Sequence, residues 1–131
     1  MKRLLLDTSI IIDFLRQKQK QQTYLYMLSN EDLYVSIITH TELYAGGSVW
    51  EKTSAQNELK DLFSGITILS LEYEISCLAG KFKALHYSMS LIDCIIAATA
   101  CIHTFTLVTL NMKDFVKIEG ITLFDIEKAK S

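Results

Sequence analysis

Apolar positions along the chain fall into short runs separated by longer amphipathic stretches. The runs Arg3–Leu6, Leu33–Ile37, Ile66–Leu69, Phe105–Thr109 and Ile121–Phe124 have strand length, and the first and fourth are almost continuously apolar or β-branched. Such runs suit parallel strands covered on both faces, whereas a strand with one wet face alternates. Helical spacing fills the intervals, at about Ile10–Lys18, Thr23–Ser29, Thr41–Ala45, Trp50–Phe63, Glu72–His86 and Leu91–Ile102. Strands alternating with helices predict an α/β fold around a central, mainly parallel sheet of about five strands. Gln17–Gln22 reads as a solvated helix end or turn, and Gly46–Gly47 as a break between helices. Without a repeat or a composition break in 131 residues, one domain spanning 1–131 is expected.

Acids interrupt this pattern at informative places. Asp7 stands between the apolar runs Leu4–Leu6 and Ile10–Ile12. In a parallel α/β sheet, ligands gather beyond the carboxyl ends of the strands, and Asp7 directly follows the first strand. Glu42 lies five residues past the second strand, and a helix starting near Thr39 puts it in a first turn at the same edge. Asp93 opens the helix that feeds the fourth strand, and Asn111 and Asp114 follow that strand in a polar loop. Capping offers a local account of two of these acids. Thr39-His40-Thr41-Glu42 and Ser90-Leu91-Ile92-Asp93 both fit the box in which an acid reaches back to the cap amide. Capping treats each acid separately, however, and does not require all of them at one end of one sheet.

Carboxylates brought together repel and raise one another's pKa, which a hard divalent cation relieves. Mg²⁺ or Mn²⁺ prefers such oxygen ligands. No histidine or cysteine has zinc-ligand spacing. A carboxylate-held metal suits activation of water and hydrolysis of a phosphodiester. Ala97, Ala98 and Ala100 would let the Asp93 helix approach the sheet closely. No histidine pair is placed for acid–base attack by a ribose hydroxyl, which favours metal-activated water.

Four segments, LLLDTSIIIDFL, ITHTELYAG, LIDCIIAATA and TLVTLNMKDF, also carry a resemblance in that order over essentially the whole chain. They resemble PIN-domain proteins, in particular the VapC ribonuclease toxins of bacterial and archaeal toxin–antitoxin pairs. The resemblance implies a three-layer α/β/α fold and an acidic metal site of Asp7, Glu42, Asp93 and Asp114. It implies Mg²⁺- or Mn²⁺-dependent RNA cleavage, with Thr8, Ser9 and Asn111 as supporting polar residues. A homodimer, a VapB-like antitoxin partner, and DNA contact only through that antitoxin are also implied. Cys94 stands where a small residue is usual, and Ser90 lies in a region that often carries proline.

Charge and cysteine content adjust this picture only slightly. The net charge is −2 with a pI near 5.9, so a polyanionic partner needs a local basic patch or a bound cation. Lys113 and Arg16 are candidate substrate contacts; Lys18, Lys20, Lys81, Lys83 and Lys117 read first as surface charge. Asp13, three residues before Arg16, reads as its helical ion-pair partner. The three cysteines, Cys77, Cys94 and Cys101, form no CxxC and read as buried free thiols of a reducing cytoplasm. No signal-peptide core follows Lys2 and Arg3, and no apolar stretch is long enough to cross a bilayer. Two rival functions remain: a catalytically silent PIN-fold binding module, and a Mg²⁺-binding phosphoacceptor domain. The second wants adjacent acids after the first strand, an Asp after the third and a Lys after the fifth. The chain offers a single acid after the first, ILSLE at the third and LFDIE at the fifth.

Overall fold

A computed structural model of the chain describes residues 1–130. Five strands, β1 (Arg3–Leu6), β2 (Asp32–Ser36), β3 (Thr67–Leu69), β4 (Thr106–Val108) and β5 (Thr122–Leu123), form one sheet in the order β3-β2-β1-β4-β5. Every pairing is parallel, with Leu4 opposite both Leu33 and Thr106. β1 is central, and Leu4, Leu5 and Leu6 are all fully buried. Strand alternation sends Leu4 and Leu6 to one face and Leu5 to the other. On the first face they meet Ile10 and Ile11 of α1 (Thr8–Arg16), Leu25 of α2 (Tyr24–Met27), and Leu59 and Phe63 of α4 (Thr53–Ser64). On the second, Leu5 and Leu107 meet Ile75 and Phe82 of α5 (Tyr73–Leu85) and Ile96 of α6 (Leu91–His103). Between β2 and α4, α3 (Ile37–Tyr44) gives Leu43 to the first core and Ile38 to the second. The result is the parallel sheet that the alternating pattern predicts, within the three-layer arrangement that the resemblance implies. Two short helices, α7 (Met112–Phe115) and α8 (Ile126–Lys130), flank β5.

Local chemistry sets the element ends. β2 stops at Ser36 because the Ser36 hydroxyl accepts from Ile38 N and caps α3. The expected helix start near Thr39 is therefore three residues late, and Glu42 sits in the second turn. Trp50 falls outside α4, in a 3-10 turn over Gly47–Glu51, with its indole exposed and its N–H donating to Tyr44 O at 2.7 Å. Asp13 makes no ion pair with Arg16 among the described residues; it accepts from Tyr24 N at 3.4 Å and ties α1 to the start of α2. Lys83, expected as surface charge, donates to Tyr87 O and Met89 O and holds the α5–α6 loop. All three cysteines are free, but Cys77 is exposed because it lies on the outer side of α5. Among the described residues, no helix is long and apolar enough to cross a membrane.

α6 packs as its small side chains require: Ala97, Ala98 and Ala100 are buried against the sheet face. It ends on Thr104 in the left-handed conformation, φ 58°, where the Thr104 amide donates to Ala100 O and Cys101 O. Only glycine and asparagine adopt that conformation readily, and a β-branched residue there is strained by about 1–2 kcal/mol. Thr104→Asn is expected to stabilise the chain by about 0.5–1 kcal/mol, a rise of roughly 2–4 °C in a thermal melt. An unchanged or lower melting temperature would show that the threonine side chain compensates its backbone.

Candidate active site

β1 and β4 are neighbours at the point where the chain crosses from one side of the sheet to the other, and such switch points open a crevice at the carboxyl edge. Asp7 occupies that crevice. Its amide continues the β1–β4 pairing by donating to Val108 O at 2.9 Å, and its side chain caps α1, with Oδ1 accepting from Thr8 N at 2.8 Å. Oδ2 accepts from Ser9 Oγ at 3.0 Å and from Thr109 Oγ1 at 2.7 Å. The carboxylate is only 3% exposed, so these three bonds replace the water it gives up. Both hydroxyls act twice: Ser9 Oγ accepts from Leu110 N at 3.1 Å, and Thr109 Oγ1 accepts from Asn111 N at 2.9 Å. The loop after β4 is thereby fastened to the loop after β1.

Glu42 reaches the same edge from α3. Thr8 Oγ1 donates to Glu42 Oε1 at 2.6 Å and lies 3.1 Å from the hydroxyl of the buried Thr39. The pairing of Thr39 and Glu42 as a capping box is thus replaced by contacts to α1.

Asp93 stands half-buried in the first turn of α6, where its amide donates to the capping Ser90 Oγ at 3.1 Å. Burial raises the Asp93 pKa above the usual aspartate value, and the charge of Asp7 raises it further. The Ser90 hydroxyl facing the carboxylate lowers it, and Asp114 and Glu42 raise it again. Asp7, Asp114 and Glu42 therefore each lie close enough to Asp93 for their charges to act on it. Among the described residues no three His, Cys, Asp or Glu side chains stand at chelating distance of one point. The acids share a region without forming a closed cage.

Asp114 is exposed and belongs to α7, a one-turn helix where a polar loop was expected; its amide donates to Asn111 O at 3.1 Å. Asn111 precedes that helix and Lys113 lies within it, both exposed. Arg16 is not brought to the acids: it ends α1, whose first residue follows Asp7, and nine helical residues span about 13 Å. Thr109 was not singled out by the sequence, and Thr39 was read only as a cap; a threonine just past a strand, as at Thr109, is a faint signal. The histidines are engaged elsewhere. His40 stacks on Tyr44 and Phe63, His103 stacks on Phe105 with Nε2 3.8 Å from Glu72, and His86 lines a separate cavity beside Lys81 and Lys117.

The donors are all oxygens, and mutual repulsion at Asp93 stands unrelieved, so the residues fit a hard divalent cation better than zinc.

Residues 4–121 match the PIN domain family, and the chain belongs to it. It is 30% identical over 129 residues to ribonuclease VapC1 of Methanocaldococcus jannaschii, covering 94% of this chain and 88% of the relative. It is 29% identical over 135 residues to ribonuclease VapC1 of Rickettsia felis, covering 94% and 96%. Among solved structures, a toxin–antitoxin complex from Klebsiella pneumoniae contains a chain of similar fold, with TM-score 0.72 and 26% identity over 91% of this chain and 95% of that one.

Proposed function

We propose that the chain is an endoribonuclease of the VapC kind, dependent on Mg²⁺ or Mn²⁺ and kept silent by a VapB-like antitoxin. Its relatives are named ribonucleases over nearly their whole lengths. The observation that carries the reading is geometric: the buried Asp7 carboxylate is fixed at the β1–β4 edge and Glu42 is tied to the adjoining Thr8, so acids from two segments meet at one sheet edge. The raised pKa of Asp93, from burial first and then from the charges of Asp7, Asp114 and Glu42, agrees with it. Capping alone gives no reason for that convergence.

In this reading Asp7, Glu42, Asp93 and Asp114 hold the metal. Bound there, it would neutralise phosphodiester charge and acidify a water molecule. The chain's own residues do the remaining work. Ser9 and Thr109 fix the Asp7 carboxylate, Thr8 aims Glu42 inward, and the Ser90 cap sets the first turn that carries Asp93. Lys113, beside Asp114, meets substrate phosphate. Water attacks phosphorus, the bond to the 3′ oxygen breaks, and that oxygen leaves as a hydroxyl. The products carry 5′-phosphate and 3′-hydroxyl ends. With no histidine at the acids, attack by the 2′-hydroxyl lacks its usual general base.

The Klebsiella pneumoniae toxin–antitoxin complex supports an antitoxin partner, and in this reading that partner covers the acidic edge. A homodimer, a cytoplasmic setting, and DNA contact made only through the antitoxin complete the proposal. The decisive assay incubates the purified chain with single-stranded RNA and Mg²⁺ or Mn²⁺, with and without EDTA, and analyses the cut ends. Cleavage abolished by EDTA, with 5′-phosphate ends, is expected. Cyclic-phosphate ends, or cleavage indifferent to chelator, would overturn the mechanism.

A further inference from the structure

A cavity of about 480 Å³ opens between α7, α2 and α8, lined in part by Tyr24, Asn111, Met112, Lys113, Asp114 and Glu127. It adjoins the acidic centre, because Asp114 both lines it and acts on Asp93 through its charge. Sites for small organic groups run from about 300 to 1,000 Å³, with apolar walls and a few placed polar atoms. This one is an open groove within that range: half-buried Tyr24 and Met112, buried Ile126 and exposed Leu110 supply apolar surface, and Asn111, Lys113, Asp114 and Glu127 line it as exposed polar groups. Asn111 is exposed and its side chain makes no capping bond to α7. Lys113 and Glu127 are not ion-paired to each other among the described residues.

Proteins read single-stranded RNA by stacking a splayed base and bonding its edge, while cations meet the phosphates. Among the lining residues Lys113 is the cation, and Glu127 is the carboxylate that the metal reading leaves unassigned. An ionised carboxylate only accepts, through two oxygens side by side. Guanine presents two adjacent donors, N1–H and the N2 amine, on its pairing edge. Adenine and cytosine present one amine beside an acceptor, and uracil one N–H between two carbonyls. We propose that this cavity holds a guanine of the RNA next to the bond that is cut, with the Glu127 carboxylate accepting from N1–H and N2–H. The proposal rests on the nuclease reading for its cleavage arm but is tested separately by binding.

Four fluorescein-labelled RNA hexamers, all uridine or with one central G, A or C, are titrated in EDTA against the wild-type chain and Glu127→Gln. Fluorescence anisotropy reports binding and circular dichroism the fold of the variant. The wild type is expected to bind the G hexamer roughly tenfold more tightly than the others, the scale of one bidentate base contact. Glu127→Gln, whose amide replaces one acceptor with a donor, should shrink that ratio to within about twofold. With Mg²⁺ added, cuts by the wild type should map beside G. Equal binding of the four hexamers, or a G preference undiminished in Glu127→Gln, overturns the base site. A G preference in a wild-type chain that cuts no RNA upholds the base site and sinks the nuclease reading instead.

Discussion

Asp93→Asn should lower the rate of RNA cleavage by about 10²- to 10³-fold, because one metal-holding charge contributes several kcal/mol of transition-state stabilisation. The same change should leave the metal-free fold intact and slightly more stable. Burial, then the charges of Asp7, Asp114 and Glu42, raise the Asp93 pKa in the folded chain against the counter-effect of Ser90. A carboxyl whose folded pKa is raised contributes stability that is full below its unfolded pKa and lost as pH rises through the folded one. At neutral pH ionised Asp93 is therefore a net cost to the metal-free chain. Removing it should add up to about 1 kcal/mol, the scale of a favourable surface-charge change. A thermal melt in EDTA at pH 7 should show the gain, and the gain should fade toward pH 4 as wild-type Asp93 takes up its proton. Mg²⁺ should reverse the order. At tenfold excess over Kd, a ligand of the folded state adds about 1.4 kcal/mol, and the wild type should respond more than the variant. Full cleavage activity in Asp93→Asn would remove the acid from the site. A variant that melts lower than wild type in EDTA would show that Asp93 serves α6 as a structural residue.

This opposition between stability and activity bears on how much the sequence disclosed. The sheet was legible because a buried parallel strand needs an unbroken apolar run, and Leu4–Leu6 is one. Asp7, Asp93 and Asp114 stood out because each is an acid at or near an element end, and an α/β sheet directs such ends to one edge, whereas Glu42 lies inside α3. The ends themselves were less clear. Ser36 and Thr39 are both competent caps three residues apart, and pattern alone does not choose between them; the fold chooses Ser36, freeing Glu42 for Thr8. Asp13 satisfies the helix-pair rule with Arg16 yet bonds Tyr24, eleven residues on. Long-range partners of this kind have no local signature. Lys83 shows the same: its charge is visible in the sequence, whereas its grip on the loop that delivers Ser90 depends on how α5 and α6 pack. Thr109 is the extreme case, lying 102 residues from the carboxylate it serves.

Thr109→Val, which keeps the shape and removes only the hydroxyl, is expected to weaken both the fold and the site. The residue is fully buried, donates to Asp7 Oδ2 at 2.7 Å and accepts from Asn111 N at 2.9 Å. Valine leaves a buried carboxylate short of one donor and a backbone amide short of its acceptor. A buried polar group left unpaired costs about 1–3 kcal/mol, more when it is charged. A fall of several degrees in melting temperature should follow. Cleavage should drop by at least about tenfold, because Asp7 Oδ2 is then held by Ser9 alone and the loop bearing Asn111 and Asp114 keeps only the Leu110–Ser9 bond of its two hydroxyl ties. Thr109→Ser retains the hydroxyl and should restore most of both losses. That rescue separates the hydroxyl's role from simple packing, since serine fills the space less well than valine. The metal requirement separates positioning from folding: Thr109→Val should need more Mg²⁺ for half-maximal rate even at temperatures where it is fully folded. If valine matches wild type in melting temperature and metal requirement, the tie between β1 and β4 is dispensable, and the acids are held in register by the sheet alone.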